Sequence, residues 1–200
     1  MRIVKRLQAI AQAGLTYGEC KYDLERYEEL RSFAVELAAI YGDAEPAKAR
    51  GIFANETGYQ TPKLDVRAVC FREGKLLMTR EEADGKWTPP GGWADVGYSP
   101  FEIAVKEARE ESGFVVEPRR LLAVLDKEKH AHPPSIHHTL KLFIRCEIVG
   151  GEAETGTETT GVGFFAEDDL PPLSEDRITP EQIALLFEFY RNPDKPALCD

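Results

Sequence analysis

The chain has 200 residues, 42% of them hydrophobic and 30% charged, with a formal net charge of −10 and a pI near 5.0. This suits one good-sized domain or a core domain with an appendage. It disfavours general binding to a nucleic-acid backbone, which needs basic surface, so no stable DNA binding is expected. No apolar run approaches the ~18–20 residues of a spanning helix. The stretch Met1 to Gly14, broken by Lys5, Arg6, Gln8 and Gln12, lacks the features of a signal peptide. A cytoplasmic protein without a membrane partner is expected.

The first 60 residues read as helical. Ile3, Val4, Leu7 and Ala11 share one helical face, with Gly14 as the stop. A second helix is predicted from about Asp23 to Tyr41, with Leu24, Tyr27, Leu30, Ala34, Leu37, Ala38 and Tyr41 as its stripe and Gly42-Asp43 as its end. Two helices bury little alone, so this piece must pack on the rest of the chain or on a second copy.

Asn55 to Pro62 is a polar link, after which the period becomes that of strands. Lys63–Phe71 and Lys75–Thr79 are predicted strands joined by Glu73-Gly74. Trp87–Val96 is a Pro/Gly-rich loop, and Ser99–Ser112 a helix. Leu121–Leu125, Thr139–Val149 and Val162–Phe165 read as strands. A last helix opens at the capping box Thr179-Pro180-Glu181-Gln182 and buries Ile183, Leu186, Phe187 and Tyr190. Four dispersed cysteines form no C-x-x-C pair, and Cys70 and Cys146 in apolar runs read as buried thiols.

The chemistry concentrates in Gly91–Phe114. Ser99 is the predicted N-cap, Pro100 the first helical residue, Glu102 the completion of a capping box and Gly113 the stop. Phe101, Ala104, Val105 and Ala108 fall on one side, and Glu107, Glu110 and Glu111 on an adjacent one. Three carboxylates at these spacings repel, and a hard divalent cation such as Mg²⁺ or Mn²⁺ reverses the sign. A solvated acidic face is the plainer reading of three glutamates alone.

The segment resembles the Nudix box, G-x5-E-x7-R-E-U-x-E-E-x-G-U with U a bulky apolar residue. Gly92, Glu107, Glu110, Glu111, Gly113 and Phe114 match it in spacing. Asp84–Gly92 is similar to the family's lead-in, and the resemblance covers about Pro62 to Tyr190. Three positions depart: Tyr98 stands at the first Glu, Lys106 at the Arg and the small Ala108 at U. Lys lacks the two-pronged fork with which Arg holds a carboxylate. Tyr22–Tyr27, Lys63–Arg67, the run 91–97, Asp126–His130 and His132-Pro133-Pro134 resemble one Nudix subgroup with an N-terminal helical domain.

The resemblance implies an α/β (α+β) fold: a Nudix-type α/β/α sandwich with a mixed sheet, residues 61–200, behind a helical domain, residues 1–60, serving dimerisation and specificity. It implies Mg²⁺-dependent (Mn²⁺ also suitable) hydrolysis of a nucleoside diphosphate linked to a second group, of the ADP-ribose or CDP-choline type, by a homodimer. Glu107, Glu110 and Glu111, with Gly92, are the expected metal site, and Glu107 and Glu111 the catalytic pair. Glu158, in a Gly/Thr-rich loop, is the candidate general base. Arg67 and Asp65 on one strand side, Arg80 before the glycine loop, and Lys127, His130 and His132 in a later loop are candidate substrate contacts, against a reading of solvated charges. Trp87 and Trp93 are candidates to stack on a base, or packing residues. A ligand sensor without turnover and an RNA-end-processing enzyme are the rival readings.

Overall fold

The structure, a computed structural model, describes residues 2–42, 47, 48, 50, 51 and 57–200. Asp43 and residues 55 and 56 of the polar link lie outside the described residues. The chain divides into two compact units, one of residues 1–62 with 134–138 and one of residues 63–133 with 139–200.

The first unit pairs helix α1 (Arg2–Tyr17) with α2 (Lys21–Gly42). Val4 packs with Ala34, Val35 and Ala38, and Ile136 of the 134–138 segment lies against them. The buried face of α1 is more polar than its apolar pattern predicts: Lys5, Gln8 and Gln12 are buried, while Ile3 is exposed. Lys5 Nζ donates to the His137 carbonyl at 2.8 Å and Gln12 Nε2 to the Gly58 carbonyl at 2.9 Å, so segments distant in sequence make this face. Tyr41, predicted in the α2 stripe, is exposed, and Val35 takes a place in the core. Gly14 does not stop α1. A Cβ there would come within 2.4 Å of the Tyr27 ring, so this glycine admits the partner helix.

The second unit is built on one mixed sheet of eight strands: β1 (Lys63–Arg72), β2 (Lys75–Glu81), β3 (Trp87–Thr88), β4 (Gly91–Trp93), β5 (Phe114–Asp126), β6 (Thr139–Gly151), β7 (Thr159–Phe165) and β8 (Leu198–Cys199). Their order is β3-β2-β1-β6-β5-β8, with β4 paired to β1 and β7 to β2. The β1–β6 and β5–β8 pairs are parallel, and the others antiparallel. Glu73 and Gly74 both take positive φ, the signature of a two-residue hairpin turn. Pro118 lies inside β5, tolerated because the pairing with β6 slips there.

Alternation along β1 feeds two cores. Val66, Ala68 and Cys70 meet Ile103, Ala104 and Ala108 of α3 (Pro100–Ser112) on one face. Val69 meets Ile183, Leu186 and Phe187 of α4 (Pro180–Arg191) on the other. The result is a helix–sheet–helix sandwich. Truncating a side chain as buried as Ile103 costs roughly 2–5 kcal/mol. Cys70 and Cys146 are buried free thiols on register-paired positions. Among the described residues no helix is long and apolar enough to cross a membrane.

Candidate active site

The helix that carries the glutamates is capped at both ends. Ser99 and Glu102 exchange side-chain and backbone hydrogen bonds, Pro100 occupies the first turn, and Gly113 closes the helix with φ 75°. The buried stripe is Ile103, Ala104, Ala108, Glu111 and Ser112, with Phe101 exposed. Of the predicted side, Ala104 and Ala108 are buried and Val105 packs against the same core, while the helix is turned so that Ile103 is buried in place of Phe101. This rotation carries Glu111 into the interior and leaves Glu107 half-buried at its margin. Glu111 and Glu107 are thus not freely solvated, whereas Glu110 is exposed.

Glu111 is 7% exposed. Its Oε2 accepts the Gly91 N–H at 3.0 Å and the Thr79 hydroxyl at 3.3 Å. Burial lifts its carboxyl to about 7, against the opposing pull of the Arg67 guanidinium. Burial also raises Glu107, with Lys106 opposing. Gly91 sits at φ 149° with no room for a side chain, since a Cβ would lie 2.0 Å from the Val66 carbonyl oxygen. At Gly92 a Cβ would come to 3.4 Å from Glu107 Oε2, so the backbone itself lines the carboxylate.

Lys106 Nζ lies 3.3 Å from Glu107, 3.3 Å from Glu110 and 3.5 Å from Asp95. A compact ammonium shared among three carboxylates thus stands where the Nudix pattern has an arginine fork. Tyr98, at the pattern's first glutamate, is exposed, and Asp95 supplies an acid to Lys106 from the same loop.

Asp65 and Arg67 are placed differently from expectation. Both are buried, at 7% and 3% exposure. Arg67 Nε and a terminal nitrogen bind Asp65 at 2.7 and 3.2 Å, and the other terminal nitrogen donates to the Pro89 carbonyl at 3.2 Å. Neither faces solvent, because β1 is covered on both sides. Lys141, fully buried, adds a 2.6 Å contact to Asp65. The sequence reading missed Lys141, although a lysine inside the alternating run Thr139–Phe143 is a visible signal. It also missed Glu81, a buried carboxylate two residues beyond Thr79, which burial raises. Arg177 Nε lies 3.4 Å from Glu81.

The other candidates have partners of their own within the fold. Arg80 alternates with Thr79 and Glu81 on β2 and donates to the Thr160 hydroxyl and carbonyl at 2.9 and 3.0 Å. Lys127 lies 3.6 Å from Asp176, and His130 3.0 Å from Asp200. His132 contacts the Glu175 carbonyl at 2.6 Å and Gln182 at 3.1 Å. These three residues hold the C-terminal segments, since the loop after β5 runs alongside them. Glu158 is exposed, and its carbonyl accepts the Glu82 N–H at 2.9 Å, which brings its charge near Glu81. Trp87 packs edge-on against Phe165 at 4.7 Å, whereas the Trp93 ring is 55% exposed beside Gly92.

Residues 61–187 match the NUDIX domain profile. The chain belongs to the Nudix hydrolase family. Residues 1–53 match a UDP-X-like N-terminal oligomerisation domain, so this Nudix hydrolase carries its helical unit as a recognised module. It is 49% identical over 196 residues to YjhB of Bacillus subtilis, provisionally named an ADP-ribose pyrophosphatase, covering 98% of this chain and 94% of that one. Among solved structures it resembles a UDP-X diphosphatase at 35% identity and TM-score 0.67, covering 100% of this chain and 97% of that one. It also resembles an ADP-ribose pyrophosphatase from Streptococcus suis at 45% identity and TM-score 0.65, covering 70% of this chain and all of that one. Nudix hydrolases depend on a divalent metal, and this chain presents an acidic donor set for one. The residues fit it: one buried and one half-buried carboxylate on successive turns, both raised by burial, beside a glycine whose backbone lines Glu107.

Proposed function

We propose that this Nudix hydrolase cleaves the pyrophosphate of a nucleoside diphosphate linked to a second group, releasing a nucleoside monophosphate and the phosphorylated group. ADP-ribose, CDP-choline and UDP-linked compounds are the candidate substrates, the first and last supported by the relatives' names. The observation that carries the reading is the buried Glu111, locked by Gly91 and Thr79 one helical turn from Glu107. Glu107, Glu110 and Glu111, with the Gly92 backbone, would hold Mg²⁺ or Mn²⁺. A bound divalent cation supplies charge neutralisation and Lewis-acid polarisation of the phosphoryl oxygens.

The protein's own groups do the rest. Thr79 and Gly91 fix the direction of the Glu111 carboxylate, so no reorganisation is needed when charge develops. Lys106 and Arg177, whose side chains are 32% and 30% exposed, are the cations beside the carboxylates that stay open to phosphate. Glu158 accepts the proton of the attacking water. Trp93 offers an exposed ring to the base. The helical module joins two copies, consistent with its oligomerisation-domain match.

The test is a panel of ADP-ribose, CDP-choline, UDP-sugar and 5′-capped RNA with the full chain and Mg²⁺, reading monophosphate release. Release from a nucleoside diphosphate derivative is expected. Binding without release, or release from RNA alone, would overturn the reading. Light scattering on the same sample is expected to give twice the chain mass.

A further inference from the structure

Among the described residues one of the largest fully buried side chains is a lysine, Lys141 of β6. An ammonium group in a dry interior costs several kcal/mol unless it is paired. The parallel register of β1 and β6 sets Lys141 opposite Asp65, and its Nζ lies 2.6 Å from Asp65 Oδ2. The same carboxylate takes Arg67 Nε at 2.7 Å and a terminal nitrogen at 3.2 Å. One anion is thus held between two cations, and the trio carries a net charge of about +1. With an apolar side chain at 141, Asp65 and Arg67 would cancel each other.

The excess charge lies against the active site. Arg67 donates to the Pro89 carbonyl at 3.2 Å, and Gly91, two residues further on, donates to Glu111 at 3.0 Å. A Cβ at Gly91 would meet Arg67 Cδ at 3.0 Å. Arg67 and the Glu111 carboxylate therefore share one loop as their wall. The guanidinium acts electrostatically on Glu111, Glu107 and Glu81.

We propose that Lys141 is a positioning residue that sets the charge of this wall: by engaging Asp65 it leaves Arg67 a net positive charge beside the carboxylates. That charge loosens their hold on a cation and tightens the site's hold on pyrophosphate. The inference rests on the proposed pyrophosphohydrolase reading, and it goes beyond the Nudix box, which contains none of the three residues.

The consequence is a pair of effects with opposite signs. In Lys141→Met, Mg²⁺ should bind about five- to tenfold more tightly and inorganic pyrophosphate about five- to tenfold more weakly, the scale of a partly buried unit charge. Lys141→Gln keeps a donor for Asp65 and should behave alike, which covers the case where the methionine variant does not fold. Asp65→Asn with Lys141→Met restores the net charge through Arg67 and should return both affinities toward wild type. Titration calorimetry on the full chain reads Mg²⁺ alone, then pyrophosphate at saturating Mg²⁺. Loss of both affinities together, no change in either, or no recovery in the double variant would overturn the inference and assign Lys141 to structure alone. Wild-type protein that binds neither probe would overturn the functional reading, and the inference with it.

Discussion

Replacing Glu111 by glutamine separates the cost of the buried carboxylate from its use. Its carboxyl stands at about 7 against an ordinary 4.5. A raised acid contributes stability below 4.5 that is lost as the pH rises through 7. At 1.36 kcal/mol per pH unit, the metal-free protein at pH 8 carries a penalty of about 3 kcal/mol from this group. It is 7% exposed, so solvent screening removes little of that. Glutamine keeps an oxygen for Gly91 and Thr79 but must place an amide, which returns about 1 kcal/mol. The net gain of about 2 kcal/mol corresponds to a melting temperature about 4–8 °C higher for a chain of this size. The assay is thermal melting with chelator at pH 5 and pH 8, then with Mg²⁺, alongside turnover. The glutamine variant should melt higher than wild type only at pH 8 without metal, gain little from Mg²⁺, and lose on the order of 10²–10³-fold in kcat. A variant that melts lower than wild type at pH 8 without metal, or that keeps near-normal turnover, would refute the reasoning.

Gly91→Ala should abolish turnover and destabilise the protein by roughly 3 kcal/mol or more, since its Cβ would press on the Val66 carbonyl at 2.0 Å and β4 would part from β1. Circular dichroism melting and kinetics check this, and a well-folded, active variant would show that the loop yields. His132 is held neutral, its pKa drawn down to about 4, first by burial and then by the charges of Lys141 and Lys127. A depressed pKa gives stability that is full above 6.5 and is lost as the pH falls through 4. The urea midpoint should therefore fall between pH 7.5 and 4, and His132→Gln should flatten that slope; an equally steep slope in the variant would assign the loss to other groups.

The sequence by itself determined the features that depend on neighbours along the chain. The capping box and Gly113 delimited α3 because caps are local hydrogen bonds, and the i, i+4 spacing of Glu107 and Glu111 put two carboxylates one turn apart. The Glu73-Gly74 hairpin was legible for the same reason. Local pattern also carried the change from helical to strand-like period and the Nudix spacing. It misread Gly14 as a stop, because the ring that needs its bare Cα belongs to another helix.

Only tertiary structure decided which charges meet. Asp65 and Arg67 looked like a strand's outward face, yet β1 is covered on both sides and Lys141 comes beside Asp65 from 76 residues away. Arg80, Lys127, His130 and His132 have the chemistry of phosphate ligands but find their partners in Thr160, Asp176, Asp200 and Glu175. Glu81 and Arg177 enter the site's surroundings through the turn of a strand and the approach to α4, which no local spacing encodes. An ion pair is fixed by distance in space, and for residues far apart in the chain that distance is set by the register of the sheet.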